Sequence, residues 1–484
     1  MNILVIGVGY HARRIYVPFL MRKDSGAASV CGLDILSQKD VIEPYLEKNK
    51  YSVEMYYTND VVQDIVSEDL DNLLKSIKEK HSIDAVIIST EPLMHFKYAK
   101  WALENNLNVL MDKPISTERD VSTDLRKAKK LVSDFEELAT IYRQKKEQGK
   151  VRTFSLMSQR RFHAGYLLAR NKIKEVFEKT NCPVTSIQIS HSDGQWRFPT
   201  EIIEQDYHPY NQGYGKASHS GYHSLDMVNW FVEAALGGEK NIDNADVFSS
   251  FVRPNDFIQQ LTLDDYRKLF PNFDEFNKYS EEDFTKITKG FGELDVFSNI
   301  VFKQGSTALC LGSVNLIHNG FSQRNWVAAA GRDLYKGNGR IRQESHFIEQ
   351  GPFQSIALLS YQSEEINPNN NNGLHEFGGE WHFDIHVFRN SKLFPEYKSH
   401  ERFSISDLAE AVMPGYSRGH QEDARISCII DFIDSVRDNR ETQSDILSHE
   451  RGTRLLAAVY ESEIKRSQGE NPVVNIKFNN PYAD

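Results

Sequence analysis

The sequence predicts an α/β protein that begins with a doubly wound parallel sheet and continues as an α+β domain with a large, mainly antiparallel open sheet. The 484 residues are enough for two hydrophobic cores of ordinary size. In the first third of the chain, continuous apolar runs alternate with helical patterns, which is typical of parallel strands covered by helices on both faces. Further along, strand-like runs follow one another with few helices between them, which favours an antiparallel sheet.

The first predicted domain comprises residues 1–158. Its predicted strands are 2–6, 29–33, 53–57, 85–88, 108–111 and 153–157. Its predicted helices are 10–20, 70–80, 95–104 and 122–148. This alternation of apolar strands and helices predicts the parallel sheet.

The second predicted domain comprises residues 159–484 and carries two insertions. Its predicted strands are 184–190, 295–302, 307–316, 355–361, 383–388 and 473–478, and its predicted helices are 218–233 and, within 423–467, 423–438 and 448–467. One insertion, near 255–292, is acidic and aromatic with helical spacing. The other, near 366–373, is rich in asparagine and predicts an exposed loop.

Composition and charge narrow the class of protein. Hydrophobic residues make up 40% and charged residues 26%, which is typical of a globular protein. The formal net charge is −11 and no long basic run is present, so nucleic acid is not an expected partner. No apolar window is long enough for a membrane span. The four cysteines lie far apart, which predicts reduced thiols in the cytoplasm and no zinc site.

A glycine-rich turn follows the first predicted strand. The sequence GVGYHA occupies 7–12, at the point where a helix begins. Gly7 permits the tight turn, Gly9 lets backbone amides approach a diphosphate, and Ala12 lets the helix pack closely on the sheet. The positive end of the helix then faces the phosphates. The turn predicts a dinucleotide site.

An acidic residue follows at the end of the second predicted strand. The carboxylate of Asp34 can accept hydrogen bonds from both ribose hydroxyls, and it would repel a 2′-phosphate. Ile35 and Leu36 come next, so no arginine is placed to receive that phosphate. NAD is therefore expected rather than NADP. The alternative is a structural glycine turn in which Asp34 only caps a helix.

Two further segments carry a family resemblance. STEPLMH at 89–95 and MDKP at 111–114 resemble the glucose–fructose oxidoreductase, inositol dehydrogenase and MocA family, whose pattern is TPxxxH, a helix, then E/D-K-P. Together with the glycine turn and the helix at 218–233, the resemblance spans both predicted domains but not the insertions. It implies a Rossmann fold, NAD use, a sugar-like substrate and a homodimer or homotetramer. The expected cofactor contacts are Gly7, Gly9, Tyr10, His11, Ala12, Asp34, Thr90, Pro92, His95, Asp112 and Lys113.

The resemblance also implies the catalytic residues. Lys113 matches the family's catalytic lysine, whose ammonium can stabilise negative charge on the reacting oxygen. The family pattern DxGxHxxD maps its histidine, an acid/base group, onto His223 and its last acid onto Asp226. Its first acid is replaced by His219, which departs from the family.

His219 allows three interpretations. It is a substrate or relay contact beside the general base His223, or a buried, hydrogen-bonded histidine without a catalytic role. In the third interpretation, His219 and His223 lie four residues apart on one helical face and bind a metal with Asp226. The absence of an HExxH glutamate and of further acids argues against the metal, and no metal is expected.

The substrate is expected to meet arginine and aromatic side chains. The expected substrate contacts are Arg160, Arg161, Trp196, Arg197, Tyr222 and Asp226. Trp196 could stack on a sugar ring, and an arginine could bind a carboxylate or phosphate. The alternative for Arg160 and Arg161 is a set of ion pairs.

These features predict an NAD-dependent oxidoreductase that transfers hydride between nicotinamide and a hydroxyl- or keto-bearing carbon of a sugar, cyclitol or sugar derivative. Two alternatives come from relatives in the family. One is an NAD-dependent glycosidase that oxidises C3 transiently. The other is a sensor without enzymatic activity, which the loss of the acid at His219 favours and the presence of Lys113 and His223 disfavours.

Overall fold

The computed structural model describes residues 1–325, 327, 339–363, 373–408 and 419–479. These residues group into two compact units, which are described one at a time. The first unit contains 1–117, 131–163 and 419–453. The second contains the other described residues. The insertion expected near 366–373 lies outside the described residues except for Gly373.

The first unit contains a six-stranded sheet in which every pairing is parallel. Its strands are β1 (Asn2–Ile6), β2 (Ser29–Ile35), β3 (Glu54–Thr58), β4 (Ala85–Ile88), β5 (Asn108–Met111) and β6 (Phe154–Leu156). Their order across the sheet is β3-β2-β1-β4-β5-β6. The predicted doubly wound sheet is confirmed.

Helices alternate with these strands along the chain. The α-helices are Tyr10–Arg14, Tyr16–Leu20, Lys39–Asn49, Glu68–His81, His95–Glu104, Leu125–Glu147 and His420–Asp438, and the 3₁₀ helices are Leu36–Gln38, Pro92–Met94, Gln159–Phe162 and Ile446–His449. The predicted helix 10–20 is interrupted at Ile15.

The core of the first unit includes side chains from a distant part of the sequence. Ile3 and Ile87 of the sheet belong to the same buried apolar cluster as Phe432 and Ile433 of the helix His420–Asp438. The sequence division at residue 158 assigns this helix to the second domain. Packing groups it with the first unit because its apolar face completes that core.

The second unit contains a nine-stranded sheet that is antiparallel except where β7 pairs with β10. Its strands are β7 (Ser186–Ser192), β8 (Asn244–Val252), β9 (Asp295–Gln304), β10 (Thr307–Ile317), β11 (Ile341–Gln350), β12 (Gln354–Ser363), β13 (Asp384–Arg389), β14 (His400–Ser404) and β15 (Val474–Lys477). The order is β14-β13-β12-β11-β7-β10-β9-β8-β15. The predicted mainly antiparallel sheet is confirmed.

Several helices accompany this sheet along the chain. They are Ala164–Thr180, Pro199–Glu204, Ala217–Gly221, Tyr222–Glu233, Pro254–Gln260, Leu263–Leu269, Phe273–Phe276, Glu281–Ile287, Ile405–Leu408 and Glu450–Ser467. Four of them, from Pro254 to Ile287, lie in the segment near 255–292 where an insertion is expected. Across the ranges that the structure describes, no helix is both long and apolar enough to cross a bilayer.

Candidate functional site

The glycine turn of the first unit has the shape that a diphosphate needs. Gly7 has φ +89°, and a Cβ there would lie 2.6 Å from the carbonyl oxygen of Ser89, so only glycine fits. A Cβ on Gly9 would meet no described atom within 4 Å. The turn therefore leaves open space next to the backbone N–H groups that begin the helix Tyr10–Arg14. Ala12 is fully buried against the sheet, as the motif requires.

The carboxylate of Asp34 is tied to this turn. One oxygen accepts the N–H of Val8 at 2.6 Å, and the other accepts the N–H of Ile35 at 2.7 Å. Burial raises the pKa of Asp34, and the two backbone N–H groups oppose that rise. Since each carboxylate oxygen has two lone pairs, both can still accept a ribose hydroxyl.

A buried histidine connects the loops that follow β4 and β5. The ring of His95 is fully buried, with Nδ1 2.7 Å from the carbonyl oxygen of Pro114 and Nε2 3.2 Å from that of Thr90. Burial lowers the pKa of His95. Enclosed between these two carbonyl oxygens, the ring can donate its single N–H to that of Pro114, the nearer one, and so holds the loop that carries Lys113. His95 thus positions this loop, and its expected contact with the cofactor stays a prediction.

Asp112 organises the end of β5 through both carboxylate oxygens. Tyr16 donates its hydroxyl to one oxygen at 2.5 Å, and Ser89 donates to the other at 2.7 Å. His11 lies 3.8 Å from the first oxygen, and burial lowers its pKa to about 4 although Asp112 acts in the opposite direction. Asp112 therefore fixes the backbone immediately before Lys113, which is partly buried.

These residues fit a dinucleotide. Besides the space at Gly9 and the acceptors on Asp34, the hydroxyl oxygen of Thr90 is buried and has no hydrogen-bond partner in the described part of the chain. It lies in the loop against which Gly7 packs. Tyr10, by contrast, is 50% exposed, and Pro92 begins a 3₁₀ helix in the same loop.

In the second unit, the predicted helix 218–233 begins with a turn of π-helix at Ala217–Gly221. His219 and His223 are both buried. Three rings lie around the imidazole of His219, with centroid distances of 4.6, 5.1 and 5.8 Å: His208, Tyr214 and Tyr210. A π-turn holds more residues than an α-turn, so the α-helical spacing assumed for a metal pair does not apply here. Among the described residues, no group of three His, Cys, Asp or Glu side chains is arranged to hold a metal.

Sequence reasoning missed a buried charge cluster next to this helix. Lys216 donates to Asp193, and its Nζ lies 3.1 Å from Nδ1 of His191. Nδ1 of His318 lies 3.4 Å from Asp193. Burial opposes ionisation of Asp193, but Lys216 and the two histidines lower its pKa well below the usual range. Asp193 and His318 come directly after β7 and β10, so the parallel pairing of these strands, which sequence alone did not reveal, brings them together.

A second buried acid supports the start of the same helix. Glu293 accepts the N–H of Ala217 at 2.8 Å and the hydroxyl of Tyr460 at 3.1 Å. Ser218 and Tyr460 share a further hydrogen bond of 2.8 Å. Burial raises the pKa of Glu293.

Two of the expected substrate contacts have partners within the protein. Arg161 is nearly fully buried, and its guanidinium donates to the side chain and the carbonyl oxygen of Ser448 at 2.6 and 3.2 Å. Trp196 donates its indole N–H to the hydroxyl of Tyr266 at 3.1 Å and packs against the insertion. Arg161 thus anchors the segment 443–449 and Trp196 packs against an aromatic core, while their expected contacts with substrate stay predictions. Arg160, Arg197, Tyr222 and Asp226 are all buried.

Comparisons with known proteins agree with this geometry. The model of the GFO/IDH/MocA family, described as an oxidoreductase family with an NAD-binding Rossmann fold, matches residues 1–152. A search of curated protein sequences finds no match.

Several solved structures share the fold over nearly the whole chain. A levoglucosan dehydrogenase in complex with NADH and L-sorbose is 13% identical, with 99% of each chain covered and a TM-score of 0.56. A myo-inositol dehydrogenase from Corynebacterium glutamicum is 13% identical, with 99% of each chain covered and a TM-score of 0.53. An oxidoreductase from Agrobacterium radiobacter in complex with NAD+, L-tartaric acid and magnesium is 12% identical, with 99% of this chain and 98% of that chain covered and a TM-score of 0.55. At these identities the likeness shows the fold alone.

The family match and the glycine turn coincide in the first unit. The match extends from the first residue to the end of the segment that precedes β6. It therefore includes the turn, Asp34, His95 and Lys113. Residues 1–152 are therefore similar to the NAD-binding Rossmann domain of the GFO/IDH/MocA oxidoreductases, whose family model matches this part of the chain.

Proposed function

We propose that this protein is an NAD-dependent dehydrogenase that moves hydride between nicotinamide and a secondary alcohol or ketone carbon of a sugar, cyclitol or sugar derivative. The observation that carries the proposal is the glycine turn, with open space at Gly9 and the carboxylate of Asp34 bonded to its backbone. The family match supports redox chemistry. Structurally similar proteins, which include levoglucosan and myo-inositol dehydrogenases, support a polyhydroxylated substrate.

The proposed chemistry assigns one task to each of two residues. Bound NAD+ supplies the acceptor for the hydride that leaves the carbinol carbon. Lys113 stabilises the negative charge that develops on the substrate oxygen. His223 accepts the hydroxyl proton, since an imidazole titrates near neutral pH. The alcohol thus loses one hydride and one proton and becomes a ketone.

The first experiment separates this function from its alternatives. The protein is incubated with NAD+ and a panel of polyols, sugars and glycosides, and both NADH absorbance and glycoside release are followed. A dehydrogenase produces NADH. An NAD-dependent glycosidase releases the aglycone without net NADH, and a sensor binds NADH but produces neither signal. Either of the last two results would overturn the proposal.

The second experiment tests Lys113. Lys113→Ala is expected to lower turnover roughly 100- to 1000-fold, because a group that stabilises the transition-state charge is lost. The affinity for NADH, measured by fluorescence titration, should change little. Lys150→Ala, which removes an exposed lysine of the same unit, is the matched control. Turnover of Lys113→Ala equal to that of the control would remove Lys113 from the mechanism.

Location and assembly are also proposed. All four cysteines are free thiols, which supports a reducing compartment such as the cytoplasm. A homodimer or homotetramer stays a prediction from the family resemblance, and sedimentation equilibrium would measure it.

A further inference from the structure

Arg197 is a buried arginine that has no ion-pair partner in the described part of the chain. Its side chain is 4% exposed, and one Nη donates to the side-chain oxygen of Gln195 at 2.9 Å. Within the ranges that the structure describes, its Nε–H is enclosed and has no acceptor, and no carboxylate lies within ion-pair distance of the guanidinium. A buried charge without a partner is costly. Arg324 of the same unit is also buried, but its charge is paired, because it binds both oxygens of Glu201 at 2.6 and 2.7 Å.

Two neighbours of Arg197 also carry buried polar atoms that have no partner among the residues the structure describes. The side-chain oxygen of Asn319 accepts the backbone N–H of Arg197 at 2.8 Å. That bond fixes the orientation of the amide, whose NH₂ group is buried and has no acceptor within the described ranges. His318 places Nδ1 3.4 Å from Asp193, and its Nε2 is likewise buried and without a partner.

The protonation of His318 follows from its surroundings. Burial lowers its pKa to about 4, although Asp193 acts in the opposite direction. The ring is therefore neutral at neutral pH. With its single proton on Nδ1, facing Asp193, the ring has an acceptor at Nε2. The unpartnered groups of the three residues are therefore two donors, the Nε–H of Arg197 and the NH₂ group of Asn319, and one acceptor, Nε2 of His318.

The fold explains why these residues meet. Ser192 at the end of β7 pairs with Ile317 at the end of β10, and the two strands are parallel. The segments 193–197 and 318–319 therefore leave the sheet at the same edge. Ligands of α/β proteins commonly bind beyond the carboxyl ends of parallel strands. The unpartnered atoms lie at such an edge.

We propose that Arg197, Asn319 and His318 form a subsite for the carboxylate and a nearby hydroxyl of a sugar acid. The carboxylate accepts hydrogen bonds from Nε of Arg197 and from the Asn319 amide, and the hydroxyl donates to Nε2 of His318. This subsite rests on the proposed function and narrows its substrate class. A single guanidinium suits one carboxylate, whereas a phosphate dianion would require further cations, and Lys216 is already paired with Asp193.

Binding to matched pairs of compounds tests the subsite. Calorimetry on the NADH-loaded protein compares D-gluconate with D-glucitol and D-glucuronate with D-glucose, with D-glucose 6-phosphate as a phosphate probe. At least one acid is expected to bind tenfold or more tightly than its neutral counterpart, and Arg197→Met is expected to abolish that difference. Equal binding of acid and neutral compounds, an unchanged acid preference in Arg197→Met, or tighter binding of the phosphate would overturn the proposal.

Failure of the subsite can be told apart from failure of the proposed function. If neutral sugars are oxidised with NAD+ and no acid preference exists, the subsite is wrong and the dehydrogenase stands. If neither NADH nor NAD+ binds to the folded protein, the proposed function fails.

A stability measurement separates a binding role of Arg197 from a structural one. Arg197→Met removes an unpaired buried charge, so its melting temperature without ligand should equal or exceed that of the wild type. Arg324→Met is the matched control, and its melting temperature should fall by several degrees because Glu201 loses its partner. A comparable fall in Arg197→Met would make Arg197 a structural residue and contradict the subsite.

Discussion

Gly7 and Gly9 belong to one motif but have different physical tasks. Gly7→Ala places a Cβ 2.6 Å from a backbone oxygen at φ +89°, so we expect it to lower the free energy of unfolding by more than about 2 kcal/mol. Gly9→Ala meets no described atom within 4 Å, so stability should stay within about 0.5 kcal/mol. Its methyl group would occupy the space for the diphosphate and weaken NADH binding at least tenfold. Chemical denaturation and NADH titration measure both effects, and wild-type affinity in Gly9→Ala would contradict this assignment.

The low pKa of His11 predicts a pH-dependent stability. The folded protein holds this pKa at about 4, against an ordinary value of 6.5, so between these values the unfolded chain binds more protons. The contribution of His11 to the free energy of unfolding therefore increases from pH 4 to 6.5, by about 3 kcal/mol, and is constant above that range. His11→Asn should remove this contribution. Urea denaturation of both proteins across the range gives the difference, and parallel curves would contradict the prediction.

The sequence revealed residues whose roles depend on local structure. Gly7, Gly9 and Asp34 lie within one strand–turn–helix pattern, so their spacing alone indicated their geometry. The partners of Arg161 could not be found in this way, because Ser448 lies 287 positions further along the chain. The buried charge cluster around Lys216 was not predicted for the same reason, since its residues meet only when two strands that are distant in sequence pair in parallel.

At the scale of elements, three strands of the second sheet were not predicted: β8, β11 and β14. In β8 and β11, buried polar side chains interrupt the apolar pattern. β11 buries Glu344 and His346, which bond to each other at 3.0 Å, and Tyr166 donates to Glu344 at 2.8 Å. β8 buries Ser249, which shares a hydrogen bond of 2.7 Å with Ser298. Burial of these groups is tolerated because they are hydrogen-bonded, and that pairing cannot be read from an apolar pattern.

The insertion is a packed element of the second unit. Its rings form a buried cluster with Phe198, and Tyr266 stacks on Phe273 at a centroid distance of 5.1 Å. We expect Phe273→Ala to cost about 3 kcal/mol or more of unfolding free energy because it leaves a cavity. Leu269→Ala, in the same insertion but 55% exposed, should cost less than about 0.5 kcal/mol. Equal effects in denaturation experiments would mean that the aromatic cluster does not stabilise the unit.

At the scale of the whole molecule, the order of elements predicted both sheets, but the grouping of the chain depends on packing over long sequence distances. The pattern of apolar side chains in the helix His420–Asp438 does not indicate which of the two sheets they pack against. Their contacts place Ile429 and Phe432 in the core with Val5. The sequence domain predicted to end at residue 158 therefore stops much earlier than the first compact unit, which also includes 419–453.

From this grouping we predict how the amino-terminal part of the protein behaves when it is isolated from the rest of the chain. A fragment of residues 1–163 contains the whole nucleotide-binding sheet but lacks the helix His420–Asp438, so apolar side chains such as Val5 and Ile87 would lose part of their cover. We expect this fragment to show no cooperative unfolding and no NADH binding. Joining it through a Gly/Ser linker to residues 419–453 should restore both, because the missing side of the core returns. The same fusion with Phe432→Ala is the control and should be less stable by about 3 kcal/mol or more. Circular dichroism melting and NADH titration measure these properties, and a fragment 1–163 that binds NADH as tightly as the full chain would show that the helix is dispensable for this fold.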